Sequence, residues 1–295
     1  MTALASSRQT ASRVSARLPH LAWLACVYVP PILFVLLPLG AFLISGFWRI
    51  ENSQIVREFT LDNYVEFFRN PLYWTVLSQT LLTALGVTVV CVLLAYPVAA
   101  FISILPARFQ FPALVVTVLP LLLSYVIKIY AIRSILGFRG FLNQALVGLG
   151  ILDEPSKALL FNQTALLFTL ATVLLPFTVL PIFTALKQIP RSLIDASADL
   201  GASAVSTFWR VVFPLTVPGV VSGAVFTYIL ALGDFVTAQM VGGPNAFSFG
   251  KIIFSQFGIA YDWPMGAALA TILLIVCLIL IAAAGQVAAR AVRRA

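Results

Sequence analysis

The chain has 295 residues, of which 61% are apolar and only 9% are charged, with 18 Lys and Arg against 10 Asp and Glu and a formal net charge of +8. About a quarter of the residues in a soluble domain are charged, and disordered chains are poor in apolar side chains, so this composition excludes both classes. The mean hydropathy of +1.03 indicates a protein embedded in a lipid bilayer.

Six intervals without charged side chains are long enough to cross a membrane, since a helix needs about 20 mostly apolar residues to span the hydrocarbon core. They cover residues 18–48, 70–107, 109–127, 158–186, 211–233 and 263–289. Each run is continuously apolar rather than alternating, which argues against a membrane β-barrel. The sequence therefore predicts an all-α integral membrane protein with six transmembrane helices.

Basic residues near the chain ends predict the orientation in the membrane. The tail of residues 1–20 carries three arginines and no acid, and the tail of residues 290–295 is also basic. Basic residues close to helix ends stay in the cytoplasm. We therefore expect an uncleaved first helix, two cytoplasmic tails, one transmembrane domain over residues 21–289 and a cytoplasmic loop at 188–214. Anionic lipid headgroups account for the basic inner side, and no basic stripe predicts a nucleic acid partner.

Catalytic signatures are absent from the sequence. There is no HExxH motif and no GxSxG elbow, and the segment GGPNAFSFGKI departs from a phosphate-binding loop because Ile252 replaces the hydroxyl residue that would hold magnesium. Three cysteines without paired spacing and the single His20 predict neither a disulfide framework nor a metal site. We expect a chain that is not an enzyme and that binds no cofactor or metal.

The cytoplasmic loop QIPRSLIDASADLGASAVSTFWRVVFP, residues 188–214, predicts two short helices around a glycine. Pro190 stops the preceding span, Ser192 is placed to cap a helix with Asp195 three residues on, and Gly201 suits a left-handed exit. Helical spacing places on one face Leu193, Ala196, Ser197 and Leu200. Another face carries Arg191, Asp195 and Asp199. The small, partly apolar face predicts a docking surface.

This loop resembles the signature of the inner-membrane permease subunits of binding-protein-dependent ABC importers. That signature has Glu-Ala-Ala, a glycine six residues after the acid, and a hydrophobic-x-Leu-Pro ending. The matching residues here are Asp195, Ala196, Ser197, Gly201, Val211, Phe213 and Pro214, with Asp, Ser and Phe in place of the family's Glu, Ala and Leu. The resemblance implies that this loop, including Asp199 and Leu200, forms coupling helices in a groove of a separate ATPase subunit. The alternative is an ordinary amphipathic linker.

Further segments between residues 70 and 290 resemble the spermidine/putrescine branch of that family, in particular its first permease subunit. They are YPVAAFIS at 96–103, SYVIKIYAIRSILGFRGFLN at 124–143, MVGGP at 240–244 and DWPMGAALA at 262–270. Branches for iron(III), sulfate or opines share parts of them. The resemblance implies the type I ABC importer permease fold in a bacterial inner membrane. The implied partners are a second, different permease chain, two ATPase subunits that hold ATP and magnesium, and a periplasmic solute-binding protein.

One acidic residue, Asp234, follows an uncharged run in the outward half of the fifth predicted helix, where an ionisable group is costly unless it faces protein or water. On helical spacing Thr227, Asp234 and Thr237 form a polar strip, and the carboxylate suits a cationic polyamine. Tyr228 lies nearby as a cation–π face. Two alternatives stay open. Either the helix ends near Gly233 and Asp234 lies at the interface, or Asp234 pairs with Lys128 at a similar depth.

Two motifs are further candidates for functional segments of the outer loops. The first consists of Gly242, Gly243 and Pro244, and the second of Asp262, Trp263 and Pro264. Trp263 is either a contact for a docked binding protein or an aromatic anchor at the membrane interface.

The resemblance implies a permease subunit that moves a small solute, of the polyamine or a related cationic or opine-like kind, by alternating access driven by a separate ATPase. An ion-coupled secondary carrier is a rival, but such carriers have intramembrane carboxylates in repeat-related helices, and only Asp234 fits. A non-transporting membrane scaffold is a third possibility.

Overall fold

The computed structural model describes residues 27–294 except 53, 244, 245 and 247, and its described side chains exclude those of 287 and 290–294. The basic tail 1–20 and Pro244 therefore lie outside the described residues. The helices are α1 (Val27–Ser45), α2 (Asp62–Arg69), α3 (Pro71–Ile104), α4 (Ala107–Leu122), α5 (Tyr125–Leu136), α6 (Phe141–Gly148), α7 (Gln163–Lys187), α8 (Arg191–Asp199), α9 (Ala204–Thr207), α10 (Phe213–Leu232), α11 (Val236–Val241), α12 (Phe249–Gly258) and α13 (Trp263–Arg294). A short hairpin is formed by β1 (Arg49–Glu51) and β2 (Gln54–Val56).

The long helices confirm the membrane-spanning architecture. Five helical segments are long and apolar enough to cross a bilayer, namely α1, α3, α7, α13 and the continuous run Ala204–Leu232 that joins α9 to α10 through a π-helical turn. A sixth span is obtained if α4 and the segment Tyr125–Gly148, which meet at a bend of 96°, count as one crossing. The prediction that one helix occupies 109–127 is wrong for its last five residues, because α4 ends at Leu122 and the chain turns there.

The larger of two compact units comprises residues 66–261 and 272–294, and its core lies where α3, α7 and α10 pack together. Apolar side chains from all three helices are fully or almost fully buried, among them Val87, Cys91, Leu170, Leu174 and Leu232. Interfaces of this kind in lipid depend on close backbone approach, which small residues permit.

The smaller unit comprises the described residues of 27–65 together with 262–271. Its hairpin pairs Arg49 with Val56 at the open end, and Arg49 forms ion pairs with Glu51 at 3.1 Å and Glu58 at 2.8 Å. The Asn63 side-chain amide donates to the carbonyls of Gly46 and Trp48, at 2.9 and 2.8 Å. These bonds and ion pairs stabilise the segment that follows α1.

Candidate functional site

The acidic residue singled out from the sequence lies at a break between two helices. α10 ends at Leu232 and α11 starts at Val236, so Asp234 is not part of the fifth helix. The backbone N–H of Thr237 donates to Asp234 Oδ2 at 3.1 Å, so that the carboxylate caps the first turn of α11. The alternative in which the helix ends near Gly233 is thus confirmed, and Asp234 is buried in the protein, with 8% of its surface exposed.

Hydroxyl groups, rather than a cation, surround the Asp234 carboxylate. The Tyr125 hydroxyl donates to Oδ1 at 2.6 Å, and the Thr237 hydroxyl donates to the same oxygen at 3.0 Å. Tyr125 is the first residue of α5, directly after the 96° bend, so two helix breaks meet at this carboxylate. Within the described part of the chain no ion pair joins Asp234 to Lys128, so the predicted pairing of these two residues is wrong.

A cavity of about 540 Å³ opens beside this carboxylate. Its polar groups come from Tyr125, Lys128 and Asp234, and its apolar wall is formed largely by Leu123, Val173, Leu174, Phe177, Ile229 and Phe235. The Lys128 Nζ lies 5.5 Å from the centre of the Tyr125 ring. The size and the lining, apolar with a few polar groups, are typical of a site for a small solute.

Two of the predicted path residues lie elsewhere. The Thr227 side chain is fully buried, and its hydroxyl is hydrogen-bonded to that of Thr178 on α7 at 2.6 Å. The Tyr228 hydroxyl donates to the Leu81 carbonyl at 3.2 Å, and the side chain lines a different groove. The polar strip of Thr227, Asp234 and Thr237 is therefore wrong for its first member, because the helical spacing on which it was based ends at Leu232.

Tyr125 is the functional candidate that sequence reasoning missed. It lies in a charge-free run that reads as one continuous helix, whereas the chain bends after Leu122. The sequence feature that indicates the bend is Pro120 followed by the polar Ser124. This combination favours the end of one helix and the start of another. The bond between Tyr125 and Asp234 joins residues 109 positions apart, which no local pattern indicates.

The residues of the loop 188–214 form two short helices around a glycine, as predicted. Gly201 follows α8 with a φ of +78°, the left-handed conformation that favours glycine. The proposed Ser192 cap is wrong: α8 begins at Arg191, directly after Pro190, and has no side-chain cap. Pro190 occupies the N-cap position with an extended backbone, so the helix begins one residue before Ser192 and places Ser192 inside its first turn.

The predicted docking face lines an open cavity of about 720 Å³, together with residues after the glycine. All four members of that face, Leu193, Ala196, Ser197 and Leu200, line this cavity, together with Gly201 and Val211. Leu200 is 89% exposed, and both Asp195 and Asp199 are exposed as well. The hydroxyls of Ser197 and Thr207 lie 2.8 Å apart and join α8 to α9. An exposed leucine beside an open cavity is a surface that a partner can cover.

The end of the loop is joined to the transmembrane core by aromatic side chains. Phe213 and Pro214 start α10, and the Phe213 ring lies 5.2 Å from that of Trp209 and 6.1 Å from that of Tyr96 on α3. The hydroxyls of Tyr96 and Thr216 are 3.0 Å apart. These contacts attach the loop to α3 as well as to α10.

The two outer motifs have structural roles in the described residues. Gly243 has a φ of +75°, and a side chain there would collide with the Phe161 carbonyl, while Gly242 lies against Ala246. Asp262 Oδ1 accepts the Met265 backbone N–H at 2.9 Å and so caps α13. Pro264 is buried in its first turn, whereas Trp263 is 53% exposed. Within the described residues, no group of three or more His, Cys, Asp or Glu could hold a metal ion.

Comparison with known proteins identifies similar sequences over most of the chain. The family described as "Binding-protein-dependent transport system inner membrane component" matches residues 16–294. The spermidine/putrescine transport system permease protein PotB of Salmonella typhimurium (strain LT2) is 36% identical over 246 residues, which cover 83% of this chain and 85% of that protein. PotB of Escherichia coli K12 is 35% identical, with 83% and 89% covered. The inner membrane ABC transporter permease protein YdcU of Escherichia coli K12 is 34% identical over 263 residues, with 84% and 80% covered.

Solved structures share the fold at low sequence identity. A chain of a bacterial ABC transporter involved in the import of the acidic polysaccharide alginate superimposes with a TM-score of 0.69 at 15% identity, over 96% of this chain and 99% of that chain. A chain of the MetNI methionine ABC transporter in an inward-facing conformation gives a TM-score of 0.55 at 20% identity, over 75% and 98%.

Proposed function

The chain belongs to the family of inner membrane components of binding-protein-dependent transport systems, and on that premise we propose that it imports a small solute with a protonated amine through the cavity at Asp234. It is a multi-pass inner-membrane permease subunit of an ABC importer, which works with an ATPase and a periplasmic binding protein. Subunits of this family are not catalytic and bind no cofactor. Membership confirms the predicted family and fold, and it decides against the ion-coupled carrier and the membrane scaffold.

The observation that carries the proposed substrate class is the buried Asp234 carboxylate in the wall of the cavity. Its hydrogen-bond donors, Tyr125 and Thr237, are neutral, so its negative charge has no cationic partner among the described residues. A carboxylate in apolar surroundings attracts an ammonium group more strongly than it would in water. The similarity to spermidine/putrescine permeases at about 35% identity supports a polyamine or a related amine, opine-like solutes included.

The proposed mechanism is alternating access, with the loop of residues 188–214 as the contact to the ATPase. Closure of the ATPase subunits moves α8 and α9, where Leu193, Ala196, Ser197 and Leu200 provide the docking face. The helical run Ala204–Leu232 is continuous, so a displacement of the loop passes along α10 to the cavity at its far end. Its first turns at Val211, Phe213 and Pro214 transmit the displacement to α3 through Tyr96.

The assembly and topology are part of the same proposal. We place both basic tails, residues 1–20 and 290–295, in the cytoplasm with the transmembrane domain between them, because basic residues at helix ends remain inside. A second and different permease chain and two ATPase subunits complete the importer. The exposed Trp263 beside Asp262 and Pro264, and the outer loop at Gly242 and Gly243, face the periplasmic binding protein.

Replacement of Asp234 tests this function. The variant Asp234→Asn keeps the shape of the side chain and removes its charge. We expect proteoliposomes that contain the complete importer with this variant to take up radiolabelled putrescine at least about tenfold more slowly. A tenfold factor corresponds to about 1.4 kcal/mol. Asp153→Asn makes the same change at an exposed acid and serves as the control. Uptake by Asp234→Asn at the rate of the control contradicts the proposal.

A further inference from the structure

A lysine shares the cavity with the carboxylate. Lys128 lines the same wall as Asp234 and lies on the first turn of α5. In the described residues no carboxylate oxygen lies within 4 Å of its ammonium, whose neighbour is the face of the Tyr125 ring at 5.5 Å. The hydroxyl end of that ring bonds to Asp234 at 2.6 Å. The same tyrosine therefore contacts both charged groups, the ammonium at its ring face and the carboxylate at its hydroxyl.

The charge balance of this site disfavours a dication. Asp234 and Lys128 together contribute no net charge, and most of the lining is apolar. Charges interact strongly in such surroundings, and an unbalanced charge at membrane depth is costly. A diamine would place its second ammonium in a cavity that already contains the Lys128 ammonium. A solute with one ammonium and one acidic group gives each end an opposite partner and leaves the total charge at zero.

We infer that the solute accepted at this site carries an ammonium group at one end and an acidic group at the other, with Asp234 and Lys128 as the two partners. This inference rests on the proposed function and narrows its amine-bearing solutes to those with a second, acidic end. The cavity of about 540 Å³ accommodates a short aminocarboxylate with its chain along the apolar wall of Leu174, Phe177 and Ile229. Lys128 then determines which amines are accepted, and Asp234 determines that an amine is required.

Two probes of equal chain length separate the possibilities. Putrescine and 4-aminobutyrate differ at one end only, where the first has an ammonium and the second a carboxylate. Equilibrium binding of each radiolabelled compound is measured on the purified complex of both permeases and the ATPase, without the binding protein, so that the preference of the latter does not contribute. We expect at least about tenfold tighter binding of 4-aminobutyrate.

Variants at Lys128 assign the preference to its charge. Lys128→Met is expected to remove the preference, and Lys128→Glu is expected to reverse it towards putrescine. Lys157→Met is a matched control, because Lys157 also lies over an aromatic ring, that of Phe138 at 5.9 Å, but does not line this cavity. If Lys128→Glu does not assemble with its partners, Lys128→Met still tests the inference.

Each outcome decides the question. Tighter binding of putrescine by the wild type, equal binding, binding of neither compound, or a preference that Lys128→Met leaves unchanged overturns this inference. If wild-type uptake of putrescine depends on Asp234 and the complex prefers putrescine, the proposed function stands. That result refutes only the inference that the solute carries an acidic group. Uptake that is independent of Asp234 refutes the proposed function itself.

Discussion

Close packing of α10 on α7 predicts a strong effect of a single added methyl group. A Cβ on Gly219 would lie 2.5 Å from the Cβ of Ala185 and 2.7 Å from the carbonyl oxygen of Pro181. Ordinary contacts between such atoms are longer than 3.4 Å, so Gly219→Ala forces the two helices apart by up to about 1 Å. One turn further on, a Cβ on Gly223 would lie 3.0 Å from the Thr178 carbonyl oxygen, so this glycine is also closely packed.

The cost follows from the contacts that must yield. Overpacking in a well-packed interior costs about 1–3 kcal/mol. Separation of the helices also weakens the hydrogen bond between the hydroxyls of Thr178 and Thr227, at 2.6 Å, which contributes about 0.5–1 kcal/mol inside a membrane. We therefore expect Gly219→Ala to lower the free energy of unfolding by about 1.5–4 kcal/mol and the melting temperature by roughly 5 °C or more. Because α7 and α10 flank the coupling loop, uptake should fall as well, while the ATPase still binds.

The assay follows thermal unfolding of the purified chain by the reaction of a thiol dye with Cys91, which is fully buried in the folded protein. Uptake and ATPase co-purification are measured on the same variant. Gly40→Ala is the control, since a Cβ at this helical glycine meets no atom within 4 Å. A Gly219→Ala variant that melts and transports like Gly40→Ala would refute the close-packing account.

Two further predictions concern the loop glycine and the outer helix cap. Gly201 has a φ of +78° and open space where a side chain would lie. Asparagine tolerates that conformation, so Gly201→Asn should retain uptake. Gly201→Val should insert in the membrane but lose most of its uptake, because valine is strained there by about 1–2 kcal/mol. Equal uptake by the two variants would show that the backbone conformation is unimportant. Asp262→Ala removes the cap on the Met265 N–H and should cost about 1 kcal/mol of stability, seen as a lower melting temperature, with Asp153→Ala as the exposed control. An unchanged melting temperature would rule out the cap.

The long-range organisation was predictable wherever one physical property dominates. Lipid forces a spanning segment to be apolar, so charge-free intervals gave the number of spans, and the left-handed conformation of Gly201 follows from its place after a short helix. The same reasoning failed for the third span, because hydropathy records how apolar a segment is but not its direction. The 96° bend at Leu122 is invisible to it.

Of the residues in the candidate site, only the acidic Asp234, whose burial costs the most free energy, was predictable from the sequence. Asp234 stands out because a charged side chain among apolar residues is costly and is retained only for a function or a specific partner. A tyrosine or a lysine at the end of a span is common and indicates no particular function. Its partner Tyr125 comes from a distant helix, and Thr227 follows the helical spacing but bonds to Thr178 instead. Helical periodicity applies only within one helix, and here the helix ends two residues before the carboxylate.

Uptake by proteoliposomes assembled with and without the ATPase subunit tests the central claim most directly. Both preparations contain this chain, its partner permease and the binding protein, and radiolabelled putrescine and 4-aminobutyrate are supplied outside. The account predicts accumulation of solute only when the ATPase and ATP are both present, and its loss when residues 195–201 are deleted. Accumulation without the ATPase, or unchanged accumulation after that deletion, would contradict it.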